Sequence, residues 1–74
     1  MKYVLVTGAL GGMGRETVSL LRRMGYGVFA LDRAEGEWES GVISLKADIT
    51  DPESLKIALD KVRETADNLC AIIH

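Results

Sequence analysis

The sequence predicts an α/β fold: half of a doubly wound parallel sheet, with element order β-α-β-β-α-β and strand order 3-2-1-4. Three observations predict it. Short apolar runs of strand length recur four times, and the first, Tyr3-Val4-Leu5-Val6, is continuous rather than alternating, as in a parallel strand covered on both faces. Two longer stretches carry apolar residues at helical spacing. A glycine-rich turn, Thr7-Gly8-Ala9-Leu10-Gly11-Gly12-Met13-Gly14, joins the first apolar run to the first of these stretches.

The first strand is expected over Lys2 to Thr7. A helix is expected from Met13 to Met24, with Met13, Thr17, Leu20, Leu21 and Met24 on one apolar stripe. Gly25 is a C-terminal cap, and Arg22 and Arg23 suit the negative end of the helix dipole. Gly27 to Asp32 reads as the second strand. Arg33 to Gly41 is polar, with two glycines and three glutamates, and is shorter than the dozen or more residues of a usual parallel crossover. A loop or a single helical turn is expected there, with Trp38 folding back over the sheet where a helix would otherwise lie. Val42 to Asp48 reads as the third strand. Asp51 or Thr50 can cap the next helix, and Pro52 suits its first turn. That helix is expected to reach about Ala66, with Leu55, Ala58, Leu59, Val62 and Ala66 on its stripe and Asp67-Asn68 ending it. Leu69 to His74 is the fourth strand.

Right-handed crossovers would then put the two helices on opposite faces and the glycine turn beside the topological switch between the first and fourth strands, where ligands bind in open α/β sheets. The chain has 74 residues, 47% of them hydrophobic and 27% charged, which is a globular composition rather than a disordered one. Its formal charge of −2 gives no reason to expect nucleic acid or an anionic membrane surface as partner. One cysteine, Cys70, allows neither an internal disulfide nor a cysteine-rich metal site and fits a reducing compartment. The first apolar run lacks the form of a signal peptide, and no run is long enough to cross a bilayer. A cytoplasmic location is expected.

The turn carries the chemistry. Glycines let the backbone bend sharply and approach a pyrophosphate, while the free N–H groups and positive dipole end of the following helix face the anion. The strict dinucleotide string Gly-x-Gly-x-x-Gly is absent, because Thr17 stands where its third glycine would be, and no Lys-Ser or Lys-Thr closes the turn as in a P-loop. Thr-Gly-x-x-x-Gly-x-Gly is present through Gly8, Gly12 and Gly14. Thr-Gly-x-x-Gly-x-x-Gly is present through Gly8, Gly11 and Gly14. Asp32 ends the second strand about twenty residues beyond the turn, where a carboxylate accepts hydrogen bonds from adenosine ribose hydroxyls and repels a 2′-phosphate. This favours NAD; Arg33, next to it, would support a 2′-phosphate and keeps NADP as the alternative.

Thr7 to Gly14 resembles the cofactor turn of the short-chain dehydrogenase/reductase family. The first glycine spacing is that of its classical members, the second that of its extended members, which include sugar-nucleotide epimerases and dehydratases. The resemblance implies a Rossmann-like fold and a cofactor site comprising Gly8, Gly11, Gly12, Met13, Gly14, Asp32 and Arg33. It adds Asp48 and Ile49, because Asp48-Ile49-Thr50-Asp51 matches the family's acidic residue and apolar neighbour at the adenine ring. A second reading has Asp48 help cap the second helix, and both can hold. His74 aligns with the first position of the family motif that follows the fourth strand, but no more of that motif is present.

The resemblance covers the whole chain and about the first third of a family member. It implies that residues 1–74 are the N-terminal half of a dinucleotide-binding domain, either a fragment or a naturally short product. The family's catalytic serine, tyrosine and lysine lie beyond the fourth strand. Tyr3 and Tyr26 stand at the wrong end of the sheet to replace the tyrosine, and no Tyr-x-x-x-Lys spacing occurs. The expected role is the NAD-binding segment of an oxidoreductase that transfers hydride between nicotinamide and a carbonyl or alcohol, with no turnover by this chain alone. Two other classes stay open. One is a non-catalytic nucleotide-binding or interaction module. The other is half of a methyltransferase, against which Thr7 stands where an acidic residue usually precedes the first glycine. The fourth strand, apolar throughout, is expected to make the chain self-associate.

Overall fold

A computed structural model of the chain describes residues 2–65 and 69–73. Its elements are β1 (Tyr3–Thr7), α1 (Gly12–Arg23), β2 (Gly27–Asp32), β3 (Val42–Lys46), α2 (Pro52–Thr65) and β4 (Leu69–Ile73). The four strands form one parallel sheet in the order β3-β2-β1-β4, as the sequence predicts. β1 pairs with β2 from Tyr3–Gly27 to Thr7–Leu31. Its pairing with β4 steps by one residue between Tyr3 and Val4.

Alternation along the central strands divides the core into two layers. Val4, Val6, Val28 and Ala30 face α1 and pack with Ala9 and Val18. Leu5, Phe29 and Leu31 face α2 and pack with Leu45, Ala47, Ala58 and Val62. Val4, Leu5 and Val6 are all buried, so the continuous apolar run of β1 reflects cover on both faces. Tyr3 stacks on Phe29, with ring centroids 5.0 Å apart, at the amino end of the sheet.

The buried stripe of α1 differs from the expected one. Met13, Leu20 and Met24 are exposed, by 85%, 52% and 62%, while Val18 is fully buried and Leu21 is packed against the same layer. The helix is therefore rotated by about one residue, roughly 100°, from the stripe its apolar residues suggest. The cause is Gly14. A Cβ added there would meet the Gly8 carbonyl oxygen, and would lie 2.8 Å from Ala9 Cα and 2.9 Å from the Ala9 carbonyl carbon. The helix rests on the backbone of the turn through a residue with no side chain. Gly14, Val18 and Leu21 form the inner row.

Gly25, at φ +92°, ends α1 as expected; its N–H donates to Arg22 O at 3.0 Å, and Tyr26 N–H donates to Leu21 O at 3.0 Å. Arg22 then knits the amino end of the sheet together. Its Nη1 donates to Tyr26 O at 2.7 Å and its Nε to Ser40 O at 3.2 Å. Its guanidinium lies against Gly41, itself at φ +92°.

The segment between β2 and β3 contains no helix, and Trp38 packs against the α1-side layer in its place, with Arg15 5.1 Å above its ring. β3 ends at Lys46, two residues earlier than expected, because Ala47 and Asp48 turn into the start of α2. Ala47 N–H still donates to Asp32 O at 2.9 Å. Asp51 caps α2, its Oδ1 accepting the Glu53 N–H at 3.1 Å. Leu55, Ala58, Leu59 and Val62 pack on the sheet as the spacing requires. The expectations for Ala66, Asp67, Asn68 and His74 fall outside the described residues.

Two glycines of the turn should respond oppositely to a methyl group. Gly14→Ala is expected to destabilise the chain by about 1–3 kcal/mol, since the backbone it meets cannot yield. Gly12→Ala, with nothing within 4 Å of the added Cβ, should leave stability unchanged or slightly raised. Urea unfolding of both variants checks this.

Candidate functional site

The turn leaves β1 at Gly8, whose φ of +64° is the left-handed conformation that glycine adopts without strain. Gly11 N–H donates to Gly8 O at 3.1 Å and closes the turn; Ala9 N–H donates to Leu31 O at 3.2 Å and pins it to the end of β2. Gly11 is the N-cap of α1 in extended conformation. Among the described residues, no side chain caps this helix, and its first turn carries no carboxylate. The positive end of the helix dipole and its first N–H groups are therefore arranged to hold an anion.

Two hollows meet at Gly8. One, of about 150 Å³, lies over the carboxyl ends of β1, β2 and β3 and is lined by Gly8, Leu31, Asp32, Arg33, Ala47 and Ile49. The other, of about 370 Å³, lies between β1, β4 and α1 and is lined by Val6, Thr7, Gly8, Met13, Gly14, Thr17 and Ile73. The helix start stands between them. Two unequal pockets joined by an anion-binding turn suit an extended ligand with a charged centre and two bulky ends.

The sequence-predicted residues distribute over this site. Gly8, Asp32, Arg33 and Ile49 line the smaller hollow, Gly8, Met13 and Gly14 the larger, and Gly11 and Gly12 open α1. Asp48 stands beside the smaller hollow rather than in its lining. Its Oδ1 accepts the Thr50 N–H at 2.9 Å and the Thr50 hydroxyl at 2.6 Å, and its Oδ2 lies 3.9 Å from Arg33 Nη2. Its carboxylate shapes the loop before α2 and does not cap that helix, a task that falls to Asp51. Leu31 and Ala47, which wall the smaller hollow, and Val6 and Ile73, which wall the larger, were not singled out as site residues from sequence, whereas Thr7 opens the turn motif. Leu31, Ala47, Val6 and Ile73 are ordinary core-type residues, and only the fold brings them to the site.

Asp32 carries the largest burden. Its Oδ2 accepts the Leu10 N–H at 3.0 Å and its Oδ1 the Ala34 N–H at 3.3 Å. The Leu10 bond, reinforced by Ala34 and by the nearby Arg33, holds its pKa below the ordinary carboxylate value against a smaller opposing effect of burial. The Thr50 hydroxyl and N–H lower that of Asp48 in the same way.

Comparisons with known proteins bear on the family and the fold. The family model described as short chain dehydrogenase matches residues 2–74. A coniferyl-alcohol dehydrogenase from a Pseudomonas species is 34% identical over 71 residues, covering 96% of this chain and 28% of that protein. An uncharacterized oxidoreductase of Schizosaccharomyces pombe is 26% identical over 74 residues, 99% of this chain and 29% of that protein. A short chain dehydrogenase from Leptospira borgpetersenii, crystallised with bound NAD+, superposes with a TM-score of 0.76 at 25% identity, over 86% of this chain and 26% of that one. A 3-hydroxyacyl-CoA dehydrogenase type-2 from Mycobacterium avium shares the fold, with a TM-score of 0.77 at 22% identity over 99% of this chain and 32% of that one. The chain thus spans between a quarter and a third of the length of these relatives. Among its described residues, no helix is long and apolar enough to cross a membrane.

A carboxylate whose pKa is depressed by folding stabilises the native state above its unfolded value, near 3.9, and loses that contribution as pH falls through the folded value. Asp32→Asn should therefore melt below the wild type at pH 7. The difference should narrow as pH falls from about 5 toward 2, and thermal unfolding across that range measures it.

Proposed function

The chain belongs to the short-chain dehydrogenase family, and from that premise we propose that it forms the NAD-binding part of an oxidoreductase. The observation that carries the reading is the meeting of two hollows at Gly8, directly over the start of α1. The dinucleotide fits this shape. Gly8, Gly11, Gly12, Met13 and Gly14 would receive the pyrophosphate, and among the described residues nothing lies within 4 Å of a Cβ built on Gly8 or Gly12, so a ligand can approach their backbone. The adenosine end would occupy the smaller hollow, its ribose hydroxyls at Asp32 and its adenine against Ile49, with Asp48 alongside.

NAD is favoured over NADP because the Asp32 carboxylate stands ionised at the mouth of that hollow and would repel a 2′-phosphate. Arg33, the residue that would attract one, lies 3.9 Å from Asp48. The NAD+ of the Leptospira relative supports the same choice. When bound, the nicotinamide supplies hydride chemistry toward a carbonyl or alcohol. The 74 residues would contribute the adenosine and pyrophosphate half of the domain and no turnover by themselves. Tyr3 is stacked on Phe29 at the amino end of β1, the end of the sheet away from the turn.

Strand β4 supports a second part of the proposal. Its sequence Leu69-Cys70-Ala71-Ile72-Ile73 has no charge, Ala71 and Ile72 are exposed, and among the described residues it pairs with β1 alone. The opposite edge, β3, is protected by Lys46 and an exposed Ser44. In the 74-residue chain β4 is the surface for self-association.

Calorimetric titration with NAD, NADP and AMP tests the binding site. NAD should saturate, AMP should compete with it, NADP should bind more weakly, and Asp32→Ala should weaken NAD about tenfold, on the order of one charge-assisted hydrogen bond. No binding by a chain shown to be folded by circular dichroism would remove the proposal. In light scattering, dimers or larger species are expected at high concentration; a monodisperse monomer would eliminate association through β4.

A further inference from the structure

The glycine turn is held in part from outside itself, and one side chain takes part in the holding. Leu10 lies at the middle of the turn, between Gly8 and Gly11. Its N–H donates to Asp32 Oδ2 at 3.0 Å. Its side chain rests on Gly36, where an added Cβ would meet Leu10 Cδ2 and would lie 3.3 Å from Cγ. The other hydrogen bonds of the turn between Gly8 and Gly11 are, among the described residues, backbone to backbone, with Gly11 N–H donating to Gly8 O and Ala9 N–H to Leu31 O. Among the described residues, Asp32 is thus the side chain that hydrogen-bonds the turn between Gly8 and Gly11, and its second oxygen fixes the start of the following segment at Ala34.

Glycines make this dependence strong. A turn containing Gly8, Gly11 and Gly12 has many backbone conformations open to it, and each must be suppressed for the first N–H groups of α1 to present one geometry. Contacts at Gly14 and Leu10 restrain part of the turn, but Gly8, Gly11 and Gly12 have no side chains to pack. A hydrogen bond to a half-buried ionised carboxylate restrains the turn further, because such bonds are stronger than neutral ones and their loss leaves a charge and a donor to find new partners.

We infer that Asp32 is a positioning residue for the phosphate-binding backbone: by holding Leu10 N–H it fixes the turn that leads into α1, and so governs affinity for a nucleotide phosphate it does not touch. This goes beyond hydrogen bonding to ribose and rests on the nucleotide-binding reading only for the identity of the ligand. It follows that ribose recognition and phosphate recognition are coupled through one carboxylate. An adenine nucleotide bearing phosphate gains more from Asp32 than adenosine does.

Two measurements test it. The first needs no ligand: amide hydrogen exchange of the chain as wild type, Asp32→Asn and Asp32→Ala. In Asp32→Ala, amides from Leu10 to Gly14 should exchange at least tenfold faster, beyond any rise that the variant's lower stability gives those of Val4–Val6 and Val28–Ala30. Asp32→Asn, whose side-chain oxygen can still accept from Leu10, should fall between. Unchanged exchange in the turn overturns the inference, as does a rise in the turn no larger than that of β1 and β2, which would mark a merely structural role. The second compares the dissociation constants of adenosine and ADP. The factor by which ADP binds more tightly should shrink about tenfold in Asp32→Ala, whereas a loss shared equally by both ligands means that Asp32 serves the ribose alone and the inference is wrong. If the wild type binds neither ligand, the nucleotide reading fails, and the exchange experiment still decides whether Asp32 positions the turn.

Discussion

The close approach of α1 to the backbone of the turn at Gly14 governs the rest of the structure. A helix that touches main chain through a residue without a Cβ is fixed in both distance and rotation. That contact turns Val18 and Leu21 onto the sheet, buries Ala9, and brings the helix start directly above the carboxyl end of β1. The two hollows at Gly8 are consequences of the same contact, since any larger residue at position 14 would lift the helix and separate its first N–H groups from the strand end.

Most of the fold was legible because it rests on side-chain pattern. The strands are apolar runs of the right length, α2 has its stripe and its Asp51 cap, and the polar segment before β3 is too short to be a helical crossover. Even the placement of Trp38 could be reasoned out, as the large apolar side chain in a segment that must cover a strand. The stripe of α1 could not. Apolar periodicity counts side chains, and the decisive contact of α1 is made by the absence of one. Met13, Leu20 and Met24 form an apolar row of helical period, yet the row that packs begins with a glycine that such a count passes over.

The site divides along the same line. The glycines and Asp32 are recognisable because their residue types and spacing are tied to phosphate and ribose chemistry. The walls of the hollows are not, because Leu31, Ala47 and Ile73 are core residues whose importance arises only from where three strands end together. The bond from Leu10 N–H to Asp32 is invisible in sequence for another reason: the donor is main chain, and Leu10 has no residue-specific chemistry to announce it.

The clasp that Arg22 makes with Tyr26 O, Ser40 O and the flank of Gly41 lies at the end of the sheet away from the turn. One end of the molecule is thus knitted by a charged side chain spanning three segments, while the other carries the loops of the proposed ligand site. Arg22 takes no part in the two hollows at Gly8. Away from Gly14 and Asp32, substitutions at the carboxyl-end loops can alter the hollows while the clasp keeps the strands in place at the other end, so new ligands can be explored without first relearning how to fold.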